Sequence, residues 1–158
     1  MNRADKILKN EKVRGYLEKT AHYERDRIYC LHDIQHAFDT ARLAYIKSLE
    51  ENVRIDKEII YAAALIHDIG RCKQYEDGTP HDEASVLLGH GILEECEFTE
   101  EEIAQILSAV SEHRTDKGRS PLGKILYEAD DKSRMCMLCD ARATCKWEKD
   151  DMNMEVEY

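Results

Sequence analysis

The stretch IIYAAALIHDIG, residues 59–70, decides the fold. Its first eight residues are apolar on every side of a helix, which predicts a central buried helix. Asp56 is suited to cap the start of this helix, and Gly70 to stop its C-terminal end. His67 and Asp68 follow the apolar run directly, although ionisable groups are costly to bury unless they are paired or bound to metal. Imidazole and carboxylate together suit Fe, Mn, Zn or Mg, so this pair predicts a divalent cation as its partner.

Helical patterns continue on both sides of the apolar run. Residues 3–27 are polar and helix-forming. Between Ile34 and Tyr45, apolar side chains recur every three or four residues, which is typical of one face of a helix. We find no convincing strand before the tail, and residues 154–158 are compatible with a short strand or a disordered end. The sequence therefore predicts an all-α protein.

Downstream of the apolar run, three helix starts carry capping signals. These are Thr79 before Pro80, Thr99 with Glu102 as a capping box, and Ser120 before Pro121. Phe98 and Ile103 have the spacing of a hydrophobic staple. Residues 72–79 are predicted to form a loop. His81 then lies in the first turn of one helix, and His113 at the end of the next.

Composition limits the classes of function. The chain has 158 residues, 42% of them hydrophobic and 35% charged, which fits one globular domain. Its net charge of −10 argues against a nucleic-acid backbone or an anionic membrane as the main partner. No apolar run approaches the roughly 20 residues of a membrane span, and no signal peptide is evident. We therefore expect a cytoplasmic protein whose six cysteines are thiols or metal ligands.

Six histidine and aspartate residues recur along the predicted helices, most of them at helix ends. They are His36 in LHDIQHAFDTARLA, His67 and Asp68 in AALIHDIGR, His81 in TPHDEASVLLGHGIL, His113 in ILSAVSEHRT and Asp130 in KILYEADDKSR. In this order and context they resemble the HD superfamily of metal-dependent phosphohydrolases, over about residues 28–134. The resemblance implies a single HD domain, an all-α bundle of about six or seven helices. Residues 135–158 would form a cysteine-containing extension.

The resemblance also implies roles for these six residues. It is strongest to the subgroup with two extra histidines, which binds two metals. The first metal would be held by His36, His67 and Asp130, the second by His81 and His113, with Asp68 bridging and thus catalytic. The metals would be Fe, Mn or Zn, and would activate water and polarise a phosphoryl oxygen. His32 and Asp131 are alternative ligands to His36 and Asp130. The family pattern favours the second histidine of such a pair, His36, and the aspartate that follows alanine, Asp130. His32 would then lie beside the metal or face the substrate.

Basic residues follow the proposed ligands and suit a phosphorylated substrate. Arg114, directly after His113, is the candidate catalytic cation. The candidate substrate-binding cations are Arg71, Lys117, Arg119 and Arg134. Arginine suits bidentate phosphate contact, and lysine serves as a point charge. Solvated surface loops are the alternative interpretation for each of them.

Three functions compete at this stage. The leading hypothesis is a phosphohydrolase that cleaves a nucleotide or another small phosphate ester or anhydride with metal-activated water. The second is a di-iron oxygenase of the HD type, which uses a similar ligand set. The third is a non-catalytic, metal-containing binding or sensor module, which would have no need of all six ligands.

The cysteines form a separate pattern after the last predicted helix. Cys136, Cys139 and Cys145 lie in SRMCMLCDARATCKW, and the Cys-x-x-Cys pair has a usual metal-chelating spacing. Three thiolates need a fourth ligand, for which Cys30 is the first candidate and Cys72 the next. The candidate cofactors are a structural zinc ion and an iron–sulfur cluster. The alternative is a set of reduced cysteines that pack as small apolar side chains.

Overall fold

The computed structural model describes residues 2–114 and 118–156, and its regular structure is entirely helical within them. The eight α-helices are α1 (Arg3–Lys9), α2 (Glu11–Glu24), α3 (Ile34–Glu50), α4 (Lys57–Ile66), α5 (Arg71–Asp77), α6 (His81–Glu95), α7 (Glu100–Glu112) and α8 (Pro121–Lys132). Three single-turn 3-10 helices follow at Cys136–Leu138, Arg142–Thr144 and Lys149–Asp151. The predicted all-α class is confirmed. The short strand considered for the tail does not form in its described residues.

Helix α4 lies at the centre of the bundle. It packs against α1, α3, α7 and α8, and seven of its ten residues are buried. Burying an Ile or Leu side chain contributes about 1.5–3 kcal/mol, so the apolar run anchors the whole bundle. The helix ends inside the protein, which places His67 and Asp68 among the ends of its neighbours. Neither α4 nor any other described helix is long and apolar enough to cross a membrane.

Three of the predicted helix starts are confirmed. The Asp56 side chain accepts from the backbone of α4, and the Ser120 side chain from that of α8. Thr99 and Glu102 form the reciprocal capping box at the start of α7. Because these caps satisfy backbone groups locally, the short-range sequence pattern was sufficient to find them.

Residues 72–79 were predicted to form a loop, and that prediction was wrong, because α5 occupies most of the segment. The helix ends at Gly78, whose φ of 81° is left-handed and favours glycine. Gly70 was predicted to end α4, but α4 ends at Ile66 and Gly70 directly precedes α5. Its φ is −76°, and it lies where a Cβ would stand 2.4 Å from the backbone oxygen of His81. Gly70 therefore permits a close approach between the end of α4 and the start of α6.

Two other boundaries differ from expectation. Thr79 does not cap α6, because its hydroxyl donates to Asp77 Oδ1 at 2.6 Å and α6 starts after Pro80 without a side-chain cap. The polar segment 3–27 divides into α1 and α2 because the Asn10 side chain caps the second helix. This division, together with α5, raises the number of described α-helices to eight.

Candidate metal centre

The structure brings all six predicted ligands together. His36 lies in the first turn of α3, His67 and Asp68 follow α4, His81 begins α6, His113 follows α7 and Asp130 lies in the last turn of α8. The four histidines and Asp68 are all less than 9% exposed. Five helices thus contribute side chains to one buried site at their ends.

One group of atoms lies between α3, α8 and the end of α4. His36 Nε2 is 3.3 Å from His67 Nε2 and 3.1 Å from Asp130 Oδ1. Asp68 Oδ2 is 3.1 Å from His67 Nε2 and 3.5 Å from His36 Nε2. Four side chains therefore face the same small space.

A second group lies between the start of α6, the end of α7 and the end of α4. His81 Nε2 is 3.2 Å from His113 Nε2 and 3.3 Å from Asp68 Oδ1. Ligand atoms of these three residues all lie within 4.8 Å of one another, as do those of His36, His67 and Asp68. Asp68 belongs to both groups, with one carboxylate oxygen facing each. One carboxylate could therefore contribute a ligand oxygen to each group.

Outer hydrogen bonds fix the orientation of His67 and His113. Nδ1 of His67 lies 2.7 Å from the carbonyl of Ala64, and Nδ1 of His113 lies 2.6 Å from the carbonyl of Val110. A carbonyl oxygen only accepts, so Nδ1 of each ring carries the proton and donates it. The Nε2 atoms that face the site therefore present lone pairs when the rings are neutral.

His36 and His81 are oriented in the same way by side chains. Nδ1 of His81 donates to Gln74 Oε1 at 2.9 Å. Ser133 Oγ donates to the Asp130 carbonyl at 2.7 Å, so it accepts from Nδ1 of His36 at 3.0 Å. All four imidazoles thus turn Nε2 inward, and metal-binding histidines characteristically donate their other N–H to such a partner.

The inward-facing atoms fit divalent cations. Two of the carboxylate oxygens, Asp68 Oδ2 and Asp130 Oδ1, are buried and have no hydrogen-bond partner in the described part of the chain. Lone pairs of facing Nε2 atoms at 3.2–3.3 Å repel unless a proton or cation lies between them. Nitrogen from imidazole and oxygen from carboxylate are donors that suit Fe, Mn or Zn.

The electrostatics favour positive charge in the same place. Burial opposes protonation of His67, yet Asp68 and Asp130 outweigh it and raise the pKa of His67 to about 10. Burial opposes ionisation of both carboxyl groups, but the neighbouring histidines hold their pKa values well below the ordinary range. Burial lowers the pKa of His81 to about 2 and also lowers that of His113. His81 and His113 are therefore neutral and available as ligands at physiological pH.

Two of the predicted substrate-binding arginines lie directly against the ligands. Arg71 Nε donates to Asp68 Oδ1 at 2.9 Å. Arg134 Nη2 lies 2.9 Å from His36 Nε2 and 3.5 Å from Asp130 Oδ1, and its Nη1 donates to the Leu31 carbonyl at 2.8 Å. Positive side chains thus stand beside the carboxylates on the open side of the site.

His32 lies beside the ligand groups but does not join them. Its Nδ1 is 2.5 Å from Glu24 Oε1, and its backbone N–H donates to Glu24 Oε2 at 2.8 Å. Burial raises the pKa of Glu24, but the bonds from His32 outweigh it, so that the value falls to about 2. Tyr75 OH also donates to Glu24, at 2.7 Å. Glu24 therefore fixes the His32 ring, whose centre is 6.1 Å from that of His36.

Of the cations after His113, Arg114 and Arg119 are described. Arg114 is exposed, and its Nη1 is 3.5 Å from Asp82 Oδ1. Arg119 is also exposed, and its backbone N–H donates to Glu112 Oε2 at 2.7 Å. Lys117 lies outside the described residues. The catalytic role of Arg114 and the substrate-binding roles of Lys117 and Arg119 stay predictions.

A cavity of about 660 Å³ opens beside His36 and Asp130. Its cationic lining residues are Arg27, Arg71, Arg134, Arg142 and Lys146, and its lining includes the aromatic residues Tyr29 and Trp147. Asp131 also lines it, although Asp130 and not Asp131 faces the histidines. The cavity therefore connects the ligand groups to a basic and partly aromatic wall.

Four cysteines also line this cavity. Cys30, Cys136, Cys139 and Cys145 all contribute to it as free thiols. Cys72 lies inside the bundle, where its Sγ is 3.5 Å from the Ile69 carbonyl, and does not line the cavity. Of the two candidates for a fourth ligand, only Cys30 shares the cavity with the other three.

Sequence reasoning missed the residues that orient the ligands. Gln74 accepts from both His81 and Arg71, the latter at 3.3 Å. It fell in the segment predicted to be a loop. A helix there would have placed it one turn after Arg71, facing the same site. Ser133 and Glu24 carried no local signal, because their partners are close only in the folded chain.

Comparisons with known proteins agree with this geometry. Residues 33–135 match the HD domain family. An uncharacterized protein of Clostridium beijerinckii (strain ATCC 51743 / NCIMB 8052) is 37% identical over 158 residues, with both chains covered in full. The crystal structure of a predicted HD superfamily hydrolase from an uncultured Thermotogales bacterium superimposes with a TM-score of 0.66 at 27% identity. That match covers 89% of this chain and 79% of the other.

Proposed function

Because this chain belongs to the HD domain family, we propose that it is a metal-dependent phosphohydrolase that cleaves a nucleotide or another small phosphate ester or anhydride with water. One observation carries the proposal. Four imidazole Nε2 atoms and two carboxylates converge on a single buried site, with Asp68 shared between two groups of ligands. The match to a protein described as a predicted HD superfamily hydrolase supports the reaction class.

The ligand set divides into two positions. The first would be held by His36, His67, Asp68 and Asp130, and the second by Asp68, His81 and His113. Divalent ions there supply Lewis-acid activation of water and of a phosphoryl oxygen. The chain itself fixes the spacing of the two positions through Asp68, whose carboxylate is held by Arg71 Nε at 2.9 Å.

Arg71 and Arg134 are placed to bind the phosphate. Both line the cavity next to the ligands, in a chain whose net charge is −10. Arg134 donates to Nε2 of His36, whose lone pair a bound metal would take instead, and a phosphate oxygen is then a charge-assisted acceptor for the released donor. We therefore expect Arg134 to transfer this donor from His36 to the substrate when phosphate binds. Local cations of this kind can attract an anion although the whole protein is acidic.

The remaining cavity wall suits a nucleoside. A volume of about 660 Å³ is typical of small-molecule sites. Tyr29 and Trp147 line the cavity, and aromatic faces stack with any base without sequence preference. His32, fixed by Glu24, adds a hydrogen-bonding group beside His36. Nucleotides are therefore the first substrates to test.

The test compares the Asp68→Asn and Asp26→Asn variants. Asp26 is 90% exposed and pairs only with Arg25 among the described residues, so it is a matched control carboxylate. Protein loaded anaerobically with Fe, Mn or Zn is assayed for phosphate release from nucleoside mono-, di- and triphosphates, and by chromatography for nucleotide products from dinucleoside polyphosphates. We expect metal-dependent release that Asp26→Asn retains and Asp68→Asn loses by at least about a hundredfold.

Three results would contradict the proposal. Undiminished release by Asp68→Asn would show that the activity arises elsewhere. Oxygen uptake with a polyol or phosphonate and no hydrolysis would favour the oxygenase. Nucleotide binding without turnover by any metal-loaded form would favour the non-catalytic module.

A further inference from the structure

Four of the six cysteines meet at one end of the cavity although they are far apart in the sequence. Cys30 lies in the segment before α3, whereas Cys136, Cys139 and Cys145 follow α8. All four line the same cavity, and none is in a disulfide. The residues are therefore arranged around a shared space rather than paired with one another.

The two cysteine-bearing segments are held in contact by several hydrogen bonds. Tyr29 OH donates to the Thr144 carbonyl at 3.1 Å, and Arg134 Nη1 donates to the Leu31 carbonyl at 2.8 Å. Within the first segment, Arg27 Nε donates to the carbonyl of Cys30 at 2.8 Å. These bonds place Cys30 opposite the cysteines of the second segment.

The thiols are close enough to influence one another electrostatically. Burial raises the pKa of Cys30, the Arg134 guanidinium opposes this, and negative charge on Cys136, Cys139 or Cys145 raises the pKa further. Four thiolates in one place would repel unless a cationic centre joined them. Thiolate is the protonation state that binds metal.

Residues 135–156 lack an apolar core of their own. They contain three single-turn 3-10 helices, and only Cys136 and Asn153 are buried among them. Met135 and Leu138 are 67% and 74% exposed. Small segments that bury little apolar surface are commonly fixed by a disulfide or a metal, and no disulfide is present in the described residues.

The open space beside the thiols favours a larger centre than a single zinc ion. In a tetrahedral zinc site, a Zn–S distance of about 2.3 Å places the sulfurs about 3.8 Å apart. The four thiols border a cavity of about 660 Å³, which has room for more than a single ion. An iron–sulfur cluster interposes its own iron and sulfide atoms, and so joins thiolates that are farther apart.

The charge of the surrounding wall fits the same centre. A cluster with four thiolate ligands is anionic, and the cavity that the thiols line is also lined by Arg134, Arg142 and Lys146. The Cys-x-x-Cys pair with a third cysteine nearby and a fourth far away in sequence is a ligand pattern that such clusters use. We propose that Cys30, Cys136, Cys139 and Cys145 bind a [4Fe–4S] cluster that joins the C-terminal extension to the segment before α3.

The first experiment measures iron and acid-labile sulfide in the full chain, purified without oxygen or after anaerobic reconstitution with ferrous iron and sulfide. The sulfide content distinguishes the two sites, because iron bound by the histidines and aspartates contains no acid-labile sulfide. We expect about four sulfides per chain and charge-transfer absorption in the visible region. Zinc at the cysteines without sulfide, or neither metal nor sulfide, would overturn the proposal.

Variants then assign the ligands. Cys136→Ser/Cys139→Ser should lose the sulfide, whereas Cys96→Ala, which alters a cysteine in the apolar core, should keep it. Cys30→Ser tests the remote ligand singly, and retained helical circular dichroism shows that the bundle is folded. Full sulfide content in either cysteine-ligand variant would refute the assignment.

A last comparison separates this centre from the His/Asp site. His67→Ala/Asp68→Ala should keep the sulfide while losing the other metal, so failure of the proposed hydrolase leaves this result unchanged. Limited proteolysis supplies a structural readout: cleavage within residues 135–156 should accelerate in Cys136→Ser/Cys139→Ser but not in Cys96→Ala. Equal cleavage rates would show that nothing at the cysteines fixes the extension.

Discussion

Replacing Gly70 by alanine should both destabilise the protein and disturb the second group of ligands. A Cβ at this position would stand 2.4 Å from His81 O, 2.5 Å from Ser85 N and 2.7 Å from Ala84 Cβ. Backbone atoms cannot rotate away as a flexible side chain would. Because ordinary contacts begin near 3.4 Å, the first turn of α6 must move by about 1 Å relative to the end of α4.

The magnitude follows from this displacement. Overpacking of this kind costs about 1–3 kcal/mol, which corresponds to a fall in Tm of about 2–12 °C for a protein of this size. The backbone conformation adds nothing to the cost, because the φ of −76° suits alanine. The Gly70 N–H donates to Ser85 Oγ at 2.9 Å, and Ser85 Oγ donates to the His67 carbonyl at 2.7 Å, so the shift also strains the segment that bears Asp68.

The assay uses thermal unfolding followed by circular dichroism, together with metal analysis. Gly91→Ala is the matched control, because Gly91 lies in α6, the helix that must move, and a Cβ there meets nothing within 4 Å. Alanine should stabilise that position by about 0.5–1 kcal/mol and raise Tm slightly. Gly70→Ala should lose the metal held by His81 before that held by His36. A Tm at or above that of the unmodified protein, with full metal content, would refute the reasoning.

Three further predictions concern the groups around the ligands. Gln74→Leu removes the acceptor of His81 Nδ1, so the affinity for the metal in that group should fall about 10- to 100-fold in a chelator competition. Arg134→Gln removes a charged phosphate donor, so KM for the substrate should rise about 10- to 100-fold, with kcat less affected. Glu24→Gln should lower the free energy of unfolding at pH 7 by up to about 3 kcal/mol, because the pKa of Glu24 is about 2 in the folded chain. A carboxyl group whose pKa is lowered by folding stabilises the protein above its unfolded pKa of about 4.5. The loss of unfolding free energy in Glu24→Gln should therefore shrink as the pH falls towards 2, as measured by urea titrations.

Matched variants separate these effects from general damage. Arg25→Gln, at a 67% exposed position, should leave KM unchanged. Glu18→Gln, on the exposed face of α2, should leave stability unchanged at both pH values. An equal loss of metal from both groups in Gln74→Leu would contradict a local role for this side chain. A pH-independent deficit in Glu24→Gln would show that lost packing, rather than lost charge, causes it.

The parts of the fold that could be predicted are those that short sequence segments determine. The apolar run before His67 had to be buried, and the capping box of Thr99 and Glu102 satisfies backbone groups within one turn. The loop prediction for residues 72–79 failed because α5 is short and buries little besides Cys72. Its stability comes from packing against α2 and α6, which the local pattern does not contain.

The convergence of the candidate ligands was predictable for a different reason. An ionisable group that follows a long apolar run is buried and needs a partner. His67 and Asp68 could therefore be identified as candidate ligands from the sequence. His36, His81, His113 and Asp130 were found through their resemblance to a family pattern. The residues that orient them, such as Gln74, could not be found in this way. Their importance arises from distances between helices.

The short link between Asp130 and Cys136 couples the two candidate centres. Arg134 lies in this link and contacts His36 Nε2 with one nitrogen and the Leu31 carbonyl with the other. The position of its guanidinium therefore depends on where the link is held at both ends. A cluster at the cysteines would fix the far end and so hold Arg134 within reach of a bound phosphate. The loss of that cluster should consequently raise KM without removing the ligands that surround Asp68, which distinguishes a positioning role for the extension from a direct catalytic one.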